Sequence, residues 1–227
     1  MKDYRIELHM HTSEVSPCGQ VSAREGVSLY KKFGYDGVVI TDHFTCPIIE
    51  SFRIKPWKKI IDRWLTGYRA AREEGDKLGL KVLLGMEFTF KGTNNDILVY
   101  GLDEKFLYDH EDFCYSSEKE LRLLADKWGL VLLQAHPYRV MITKIYDAIM
   151  DGFEVYNGNP RHNSQNDKAL AHAVSLDKIQ VSGSDFHQVQ DGARGGILLP
   201  ELPADSKALA RLLREIKTPR LIRDGKE

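Results

Sequence analysis

Short runs rich in β-branched and aromatic residues recur along the chain: YRIELH at 4–9, GVVIT at 37–41, VLLGMEFTF at 82–90, ILVYGL at 97–102, VLLQAH at 131–136, FEVYNG at 153–158 and IQVSGSD at 179–185. Their lengths and bounding polar residues predict strands. Between most of them lie stretches of helical periodicity: SAREGVSLYKKFG, KKIIDRWLTGYRAAREEGDKLG, SEKELRLLADKWG and NDKALAHAVSLD. Several open at Ser or Asn and close at Gly, the usual signals for helix start and stop. This alternation predicts an α/β barrel or open sheet. One junction differs. Only KGTNND separates EFTF from ILVYGL, whereas a parallel crossover needs about a dozen residues, so these two strands are expected to form an antiparallel hairpin. A last amphipathic stretch, from Asp205 to Lys217, reads as a closing helix with a structural role. No repeat, low-complexity tract or linker divides the sequence, and a single domain over 1–227 is expected.

The polar residues that interrupt these apolar runs sit at the strand ends. His9 and His11 close the first strand, Asp42 and His43 the second, Glu87 the third, His136 the fifth, and Asp185 and His187 the seventh. In parallel α/β barrels the strand C-termini share one face, which carries the active site, so residues far apart in sequence would converge there. The expected hairpin brings Asp96, at the start of the fourth strand, to the rim that holds Glu87. Strand alternation puts His9 and His11 on one face with Met10 on the other, and Asp185 and His187 repeat that spacing. Asp42 and His43 are adjacent and point apart in a regular strand, which favours His43 over Asp42 as a ligand. Imidazole with carboxylate is the donor set of zinc, manganese or iron hydrolytic centres, and one carboxylate can bridge two ions. A lone histidine is more often a hydrogen-bonded structural residue, but this many at strand ends, in a chain with eight histidines, point to a metal cluster. His110 and His172 fall outside the pattern and are expected at the surface.

Composition narrows the class. The 227 residues, 42% hydrophobic and 29% charged, are ordinary for a globular protein. A net charge of -1 supplies no global field toward nucleic acid or an anionic membrane. Cys18, Cys46 and Cys114 form no CxxC pair and are odd in number, which suits a reducing compartment. With no apolar leader and no run of membrane-spanning length, a cytoplasmic location is expected.

The ordered segments HMHTS, ITDHF, GMEFTF, QAHPYR and GSDFH resemble the motifs of the PHP (polymerase and histidinol phosphatase) superfamily, across nearly the whole chain. The resemblance implies a distorted (β/α)7, TIM-like barrel with two or three divalent ions, zinc, manganese or iron. By the same resemblance His9, His11, Glu87 and Asp185 hold one ion, and Glu87 bridges to a second held by His136 and Asp96. Many relatives carry histidine at the position of Asp96, and the carboxylate here would favour manganese or iron over zinc. A third ion would use His43, His187 and a residue of the loop HTSEVSPCG, where Cys18 and Glu14 are the available candidates, and Asp42 is a further candidate ligand.

Such ions lower the pKa of water and neutralise phosphoryl charge, which suits hydrolysis of a small phosphomonoester such as a nucleotide or a sugar or amino-alcohol phosphate. Glu87, Asp185 and Arg139 are expected to matter most for catalysis. Arg139 is the best-placed phosphate clamp, with Arg161, His162 and Arg194 as weaker substrate-binding candidates. Glu154 is expected to orient a metal-bound histidine from behind. Competing readings are a hydrolase of amides or lactones, which would call for a carbamylated lysine or a mononuclear HxH site, and a binding module with structural metals. A role on nucleic-acid ends is disfavoured by the near-neutral charge and the lack of a polymerase-sized extension. The expected partner is a small phosphorylated substrate, with no membrane association and the oligomeric state left open.

Overall fold

The computed structural model of the protein describes residues 2–226. Eleven strands and eight α-helices are described: β1 (Tyr4–Met10), α1 (Ala23–Lys32), β2 (Gly37–Ile40), β3 (His43–Phe44), α2 (Cys46–Ser51), α3 (Trp57–Trp64), α4 (Thr66–Leu78), β4 (Lys81–Leu84), β5 (Met86–Thr89) and β6 (Asp96–Tyr100). There follow α5 (Glu104–Asp109), α6 (Glu118–Trp128), β7 (Val131–Gln134), β8 (Gly152–Asn157), α7 (Asn166–Ser175), β9 (Ile179–Gly183), β10 (Ile197–Leu199), α8 (Ser206–Ile216) and β11 (Arg220–Leu221). Several helix starts are capped by side chains as the sequence suggests, whereas α3, α4 and α7 have no side-chain cap. Ser22 accepts from the Glu25 backbone N–H, Ser117 and Glu120 form a capping box, and Asp205 accepts from Ala208.

The strands form a mixed α/β fold with two sheets. One has the order β11-β10-β1-β2-β4 and the other β3-β5-β6-β7-β8-β9. The expected hairpin is present: β5 and β6 run antiparallel with Thr89 opposite Asp96. Two expected strands are broken, at residues 41–42 and at Gly85, so that each passes from the first sheet into the second. Backbone bonds from Gly85 N–H to Ile40 O and from Glu87 N–H to Asp42 O carry the pairing across the breaks. On the other side the sheets meet where Met10 bridges Phe186. His9 O accepts from Phe186 N–H at 3.1 Å, and His11 N–H donates to Phe186 O at 3.0 Å.

A register irregularity in β1 decides which side chains face inward. Ile6 and Leu8 belong to the core that also contains Leu98, Leu133 and Val181. Between Glu7 and Met10 the pairing with β2 shifts, and from there His9 and His11 approach each other while Met10 packs with Val27 and Tyr30 under α1. A bulge of this kind re-aims side chains next to a site. Its freed backbone N–H groups, those of Leu8 and His9, both donate to the buried carboxylate of Glu7.

The long helical stretch expected from residue 58 to 79 is divided at Leu65 into α3 and α4. Gly67 in α4 then lies so close to the β1–α1 loop that an added Cβ would fall 2.1 Å from Thr12 Oγ1 and 2.7 Å from Asp42 Oδ2. The expected closing helix is α8, which buries Leu209 and Leu213 against the Ile6 and Leu8 core. No helix joins β7 to β8; residues 135–151 instead form a loop that carries Arg139. Among the described residues no helix is long and apolar enough to cross a membrane.

Candidate metal centre

The strand ends bring nine of the expected residues to one place. Glu87, 1% exposed, lies at the middle. Its Oε1 is 3.1 Å from His9 Nε2 and 3.3 Å from His136 Nε2, while its Oε2 is 2.8 Å from His43 Nδ1 and 3.3 Å from His11 Nε2. His9 Nε2 and His11 Nε2 are 3.1 Å apart, and Asp185 Oδ1 lies 3.5 and 3.6 Å from them. Asp96 Oδ2 is 3.8 Å from His136 Nε2. His187 stacks on His11 with ring centroids 4.2 Å apart, and Cys18 interacts with both His187 and His43. Three donor groups able to hold a cation result: His9, His11 and Asp185; Glu87, Asp96 and His136; and His11, His43 and His187.

The spacing fits metal ligands better than a hydrogen-bonded cluster. Donors about 2.0–2.1 Å from a tetrahedral ion stand roughly 3.4 Å from each other, and the separations around His9, His11, Glu87 and Asp185 run from 3.1 to 3.6 Å. Both carboxylate oxygens of Glu87, with His43 Nδ1, are buried without a hydrogen bond of acceptable geometry. A buried, unsatisfied carboxylate is costly unless a cation compensates it. The electrostatics agree. Burial would raise Glu87 and Asp185, but the charges of His9 and His43 on the first, and of His9 with the His11 hydrogen bond on the second, hold both well below the usual carboxylate range. Burial would lower His9, yet Glu154, Glu87 and Asp185 hold it well above. His11 is driven well below by burial and by His187 and His43. Asp96 is pushed up by burial and by Glu87.

Two of these residues have strained backbone. His136 has φ 30° and Asp185 φ 52°, left-handed conformations that non-glycine residues seldom adopt and that cluster at functional sites. Glu154 holds one of them. Its Oε1 accepts from His9 Nδ1 at 2.9 Å, and its Oε2 from His136 N–H at 3.0 Å and Asn157 Nδ2 at 2.9 Å. These are the contacts through which the expected orienting role would act. Asn159 Nδ2 donates to Asp185 O at 2.9 Å and steadies the other.

Several expected residues lie elsewhere. Asp42 is not turned to the cluster: its oxygens accept from Thr12 N–H, Thr12 Oγ1 and Ser16 Oγ at 2.7 to 2.8 Å. Ser16 Oγ in turn contacts His11 Nδ1 and accepts from His43 N–H, so Asp42 fixes the loop behind those two histidines. Burial pushes it up to about 6, against the pull of these hydrogen bonds. Glu14 accepts from Ala23 N–H at the start of α1 through both oxygens and is likewise taken up. Cys18 is the loop residue that reaches the cluster. Burial would raise its thiol, but hydrogen bonding with His187 and His43 brings it down to about 6.

Among the rim cations, Arg139 Nη2 donates to Asp185 Oδ2 at 2.7 Å, Asn157 Oδ1 at 2.9 Å and Ser164 Oγ at 3.3 Å, while its Nε is buried without a partner. Arg161 donates instead to both oxygens of Asp191, at 2.5 and 2.6 Å. Arg194 donates to Gln190 O and lies 3.7 Å from Asp224. The two loops therefore tie down neighbouring segments with these arginines. His162 is exposed at the rim, its pKa lowered by partial burial and by Arg139. His110 and His172 are half-buried: the first stacks on Phe106, and the second pairs with Asp147 at 2.7 Å. They sit deeper than surface histidines would.

Glu7 carries no signal in the sequence beyond a charged residue inside an apolar strand. It is fully buried and accepts from Leu8, His9 and Ser184 N–H, Ser184 Oγ and Tyr30 Oη. It thereby fixes the β1 bulge to the strand end that carries Asp185.

A cleft of about 500 Å³ opens beside the cluster, lined by His43, Thr45, Thr89, Lys91, Thr93 and Asp96 among others. A groove of the same volume near Tyr68, Arg72 and Ser206 contains none of the cluster's residues.

The family model described as PHP domain matches residues 7–216. Solved structures share the fold. A Bifidobacterium adolescentis protein described provisionally as a metal-dependent phosphoesterase is 18% identical, with 92% of this chain and 95% of that one covered and a TM-score of 0.58. PsfC of Pseudomonas syringae is 15% identical, with coverages of 98% and 92% and a TM-score of 0.66. An amidohydrolase from Chromobacterium violaceum, solved with sulfate and no metal, is 15% identical, with coverages of 96% and 97% and a TM-score of 0.59. No curated protein matches the chain.

Proposed function

The chain belongs to the PHP domain family, and from that membership we propose that it is a metal-dependent phosphoesterase acting on a small phosphomonoester, such as a nucleotide or a sugar or amino-alcohol phosphate. The observation that carries this reading is Glu87, a buried carboxylate with both oxygens unpartnered among four imidazole nitrogens. Its Oε1 lies between His9 and His136, one histidine from each of the two ion positions, as a carboxylate shared by two ions would. His9, His11 and Asp185 would complete one position, and His136 with Asp96 the second. When bound, divalent zinc, manganese or iron ions lower the pKa of water and neutralise phosphoryl charge.

The protein's own groups prepare the site for that chemistry. Glu154 keeps the proton of His9 on Nδ1 and so leaves Nε2 free as a donor. Arg139, at the edge of the cluster, is the group we assign to a phosphoryl oxygen, with His162 beside it; its existing bond to Asp185 aims the guanidinium. Burial excludes bulk water from the inner donors and strengthens each of these interactions. The cleft of about 500 Å³ beside His43 and Asp96 suits a small leaving group. We also read the two sheets as one distorted (β/α)7 barrel in a single domain, supported by the backbone bonds at both seams. A cytoplasmic location is part of the same reading.

The test is a panel of phosphate esters given to manganese- or zinc-loaded protein, with Asp185→Asn and His136→Ala as controls. We expect phosphate release by the wild type and a loss of at least 100-fold in each variant. Equal activity in the variants and the wild type refutes the assignment.

A further inference from the structure

The residues that close β8 and lead into α7 hold the guanidinium assigned above to a phosphoryl oxygen. Asn157 Oδ1 accepts from Arg139 Nη2 at 2.9 Å and Ser164 Oγ from the same nitrogen at 3.3 Å. Gln165 Nε2 donates to Tyr138 O at 2.6 Å and ties down the backbone just before the arginine. Asp185 Oδ2 also accepts from Nη2, at 2.7 Å. That nitrogen carries two hydrogens and meets three acceptors, so it is saturated, and Nε is buried. An incoming anion is left with Nη1, whose direction is set by whatever holds Nη2.

Asn157 does more than accept. It is 4% exposed, and its Nδ2 donates at 2.9 Å to Oε2 of Glu154, the carboxylate that also accepts from His9. The side chain thus lies between a cation and an anion. An amide serves both, with its oxygen toward Arg139 and its nitrogen toward Glu154, whereas a carboxylate in its place would set oxygen against oxygen at Glu154. The amide is further fixed by Asn159 N–H, which donates to the same Oδ1 at 3.2 Å. Its backbone is pinned as well: Asn157 N–H donates to Asn166 Oδ1 at 3.0 Å, and Asn166 Nδ2 to Asn157 O at 3.1 Å.

We propose, resting on the assignment of Arg139 to a phosphoryl oxygen, that Asn157 is a positioning residue for phosphate binding: with Ser164 it aims Arg139, and through Glu154 it links that clamp to the histidines behind it. Without the Asn157 oxygen the guanidinium is held by Ser164 and Asp185 alone. The charged partner is the stronger of the two, so Arg139 turns further onto Asp185 and away from substrate.

Calorimetric binding of inorganic phosphate to manganese-saturated protein tests this apart from turnover, with bound manganese measured on every sample. Arg139→Met should weaken phosphate at least tenfold. Asn157→Ala should weaken it at least fivefold, but less than twofold in the Arg139→Met background, because a residue that acts through Arg139 has nothing to act on once the guanidinium is gone. Ser164→Ala, which leaves the Glu154 contact in place, should show the same dependence on Arg139 with a two- to fivefold loss, and it decides the matter alone should Asn157→Ala fail to fold. An equal loss with and without Arg139, or phosphate affinity within twofold of wild type in both variants, overturns the positioning role and leaves the proposed function standing. Phosphate bound equally by wild type and Arg139→Met overturns the Arg139 assignment and the role of Asn157 with it.

Discussion

Replacing Glu154 by Gln keeps the volume and removes one charge, so its effect isolates what the carboxylate does. Three donors point at this side chain: His9 Nδ1, His136 N–H and Asn157 Nδ2. A carboxylate accepts from all three, whereas an amide has one oxygen. If that oxygen keeps His9, the amide NH2 faces two donors in a buried site, at a cost of about 1–3 kcal/mol. If the amide flips, its NH2 donates to His9 Nδ1, the proton moves to Nε2, and the nitrogen that faces Glu87 and Asp185 can no longer bind a cation. Either way metal affinity falls. Loss of such an orienting partner typically costs 10- to 100-fold in affinity, about 1.4–2.7 kcal/mol. Competition against a coloured chelator measures this directly, and Glu154→Asp, which shortens the arm but keeps the charge, separates charge from reach. Metal affinity within twofold of wild type in Glu154→Gln refutes the reasoning, since no orientation of the amide satisfies all three donors.

Other outcomes follow from the same geometry. Arg139→Lys should lower kcat/KM at least tenfold while metal content stays unchanged, because one ammonium cannot satisfy Asp185, Asn157, Ser164 and a phosphoryl oxygen together; metal analysis beside kinetics checks it. Gly67→Ala should cost about 1–3 kcal/mol in chemical unfolding, since its Cβ would fall 2.1 Å from Thr12 Oγ1; an unchanged midpoint contradicts the packing. In chelated protein, His9, His43 and His187 are raised above 6.5, His11 and His162 are lowered, and the Cys18 thiol is brought down to about 6. The three raised groups contribute stability that is complete below pH 6.5 and lost as pH rises through their folded values; the depressed Cys18 thiol works the other way above about 6, but it is one group against three, so Tm should fall on the alkaline side. The depressed Glu87 and Asp185 contribute stability above their unfolded values that is lost only in strong acid. A metal-free Tm that stays flat or rises from pH 6.5 to about 9 contradicts these directions.

The parts of the centre legible in the sequence were those with a local rule behind them. Strand alternation in His9-Met10-His11 and the short KGTNND connection sufficed to gather those histidines with Glu87 and Asp96. The bulge that turns His9 and His11 inward was not legible, because it depends on Glu7 receiving Ser184 and Tyr30 from remote elements. Asp42 and Glu14 read as ligands by type, but their oxygens are taken by backbone N–H groups and, for Asp42, by the hydroxyls of Thr12 and Ser16, whose positions only the tertiary fold supplies. Arg161 shows the same limit, since its partner Asp191 lies 30 residues away. Strands β10 and β11 have three and two residues, too few for a periodic signal. The break between α3 and α4 reflects close packing of Gly67 on the Thr12 loop, which overrides local helical preference.

The most direct test follows bound metal and phosphate release together as Mn2+ or Zn2+ is returned to chelated protein supplied with a phosphomonoester that the panel identifies. The account predicts that at least two equivalents bind per chain and that release appears only as they do. One equivalent or none, or phosphate release that proceeds equally in the chelated protein, would contradict it.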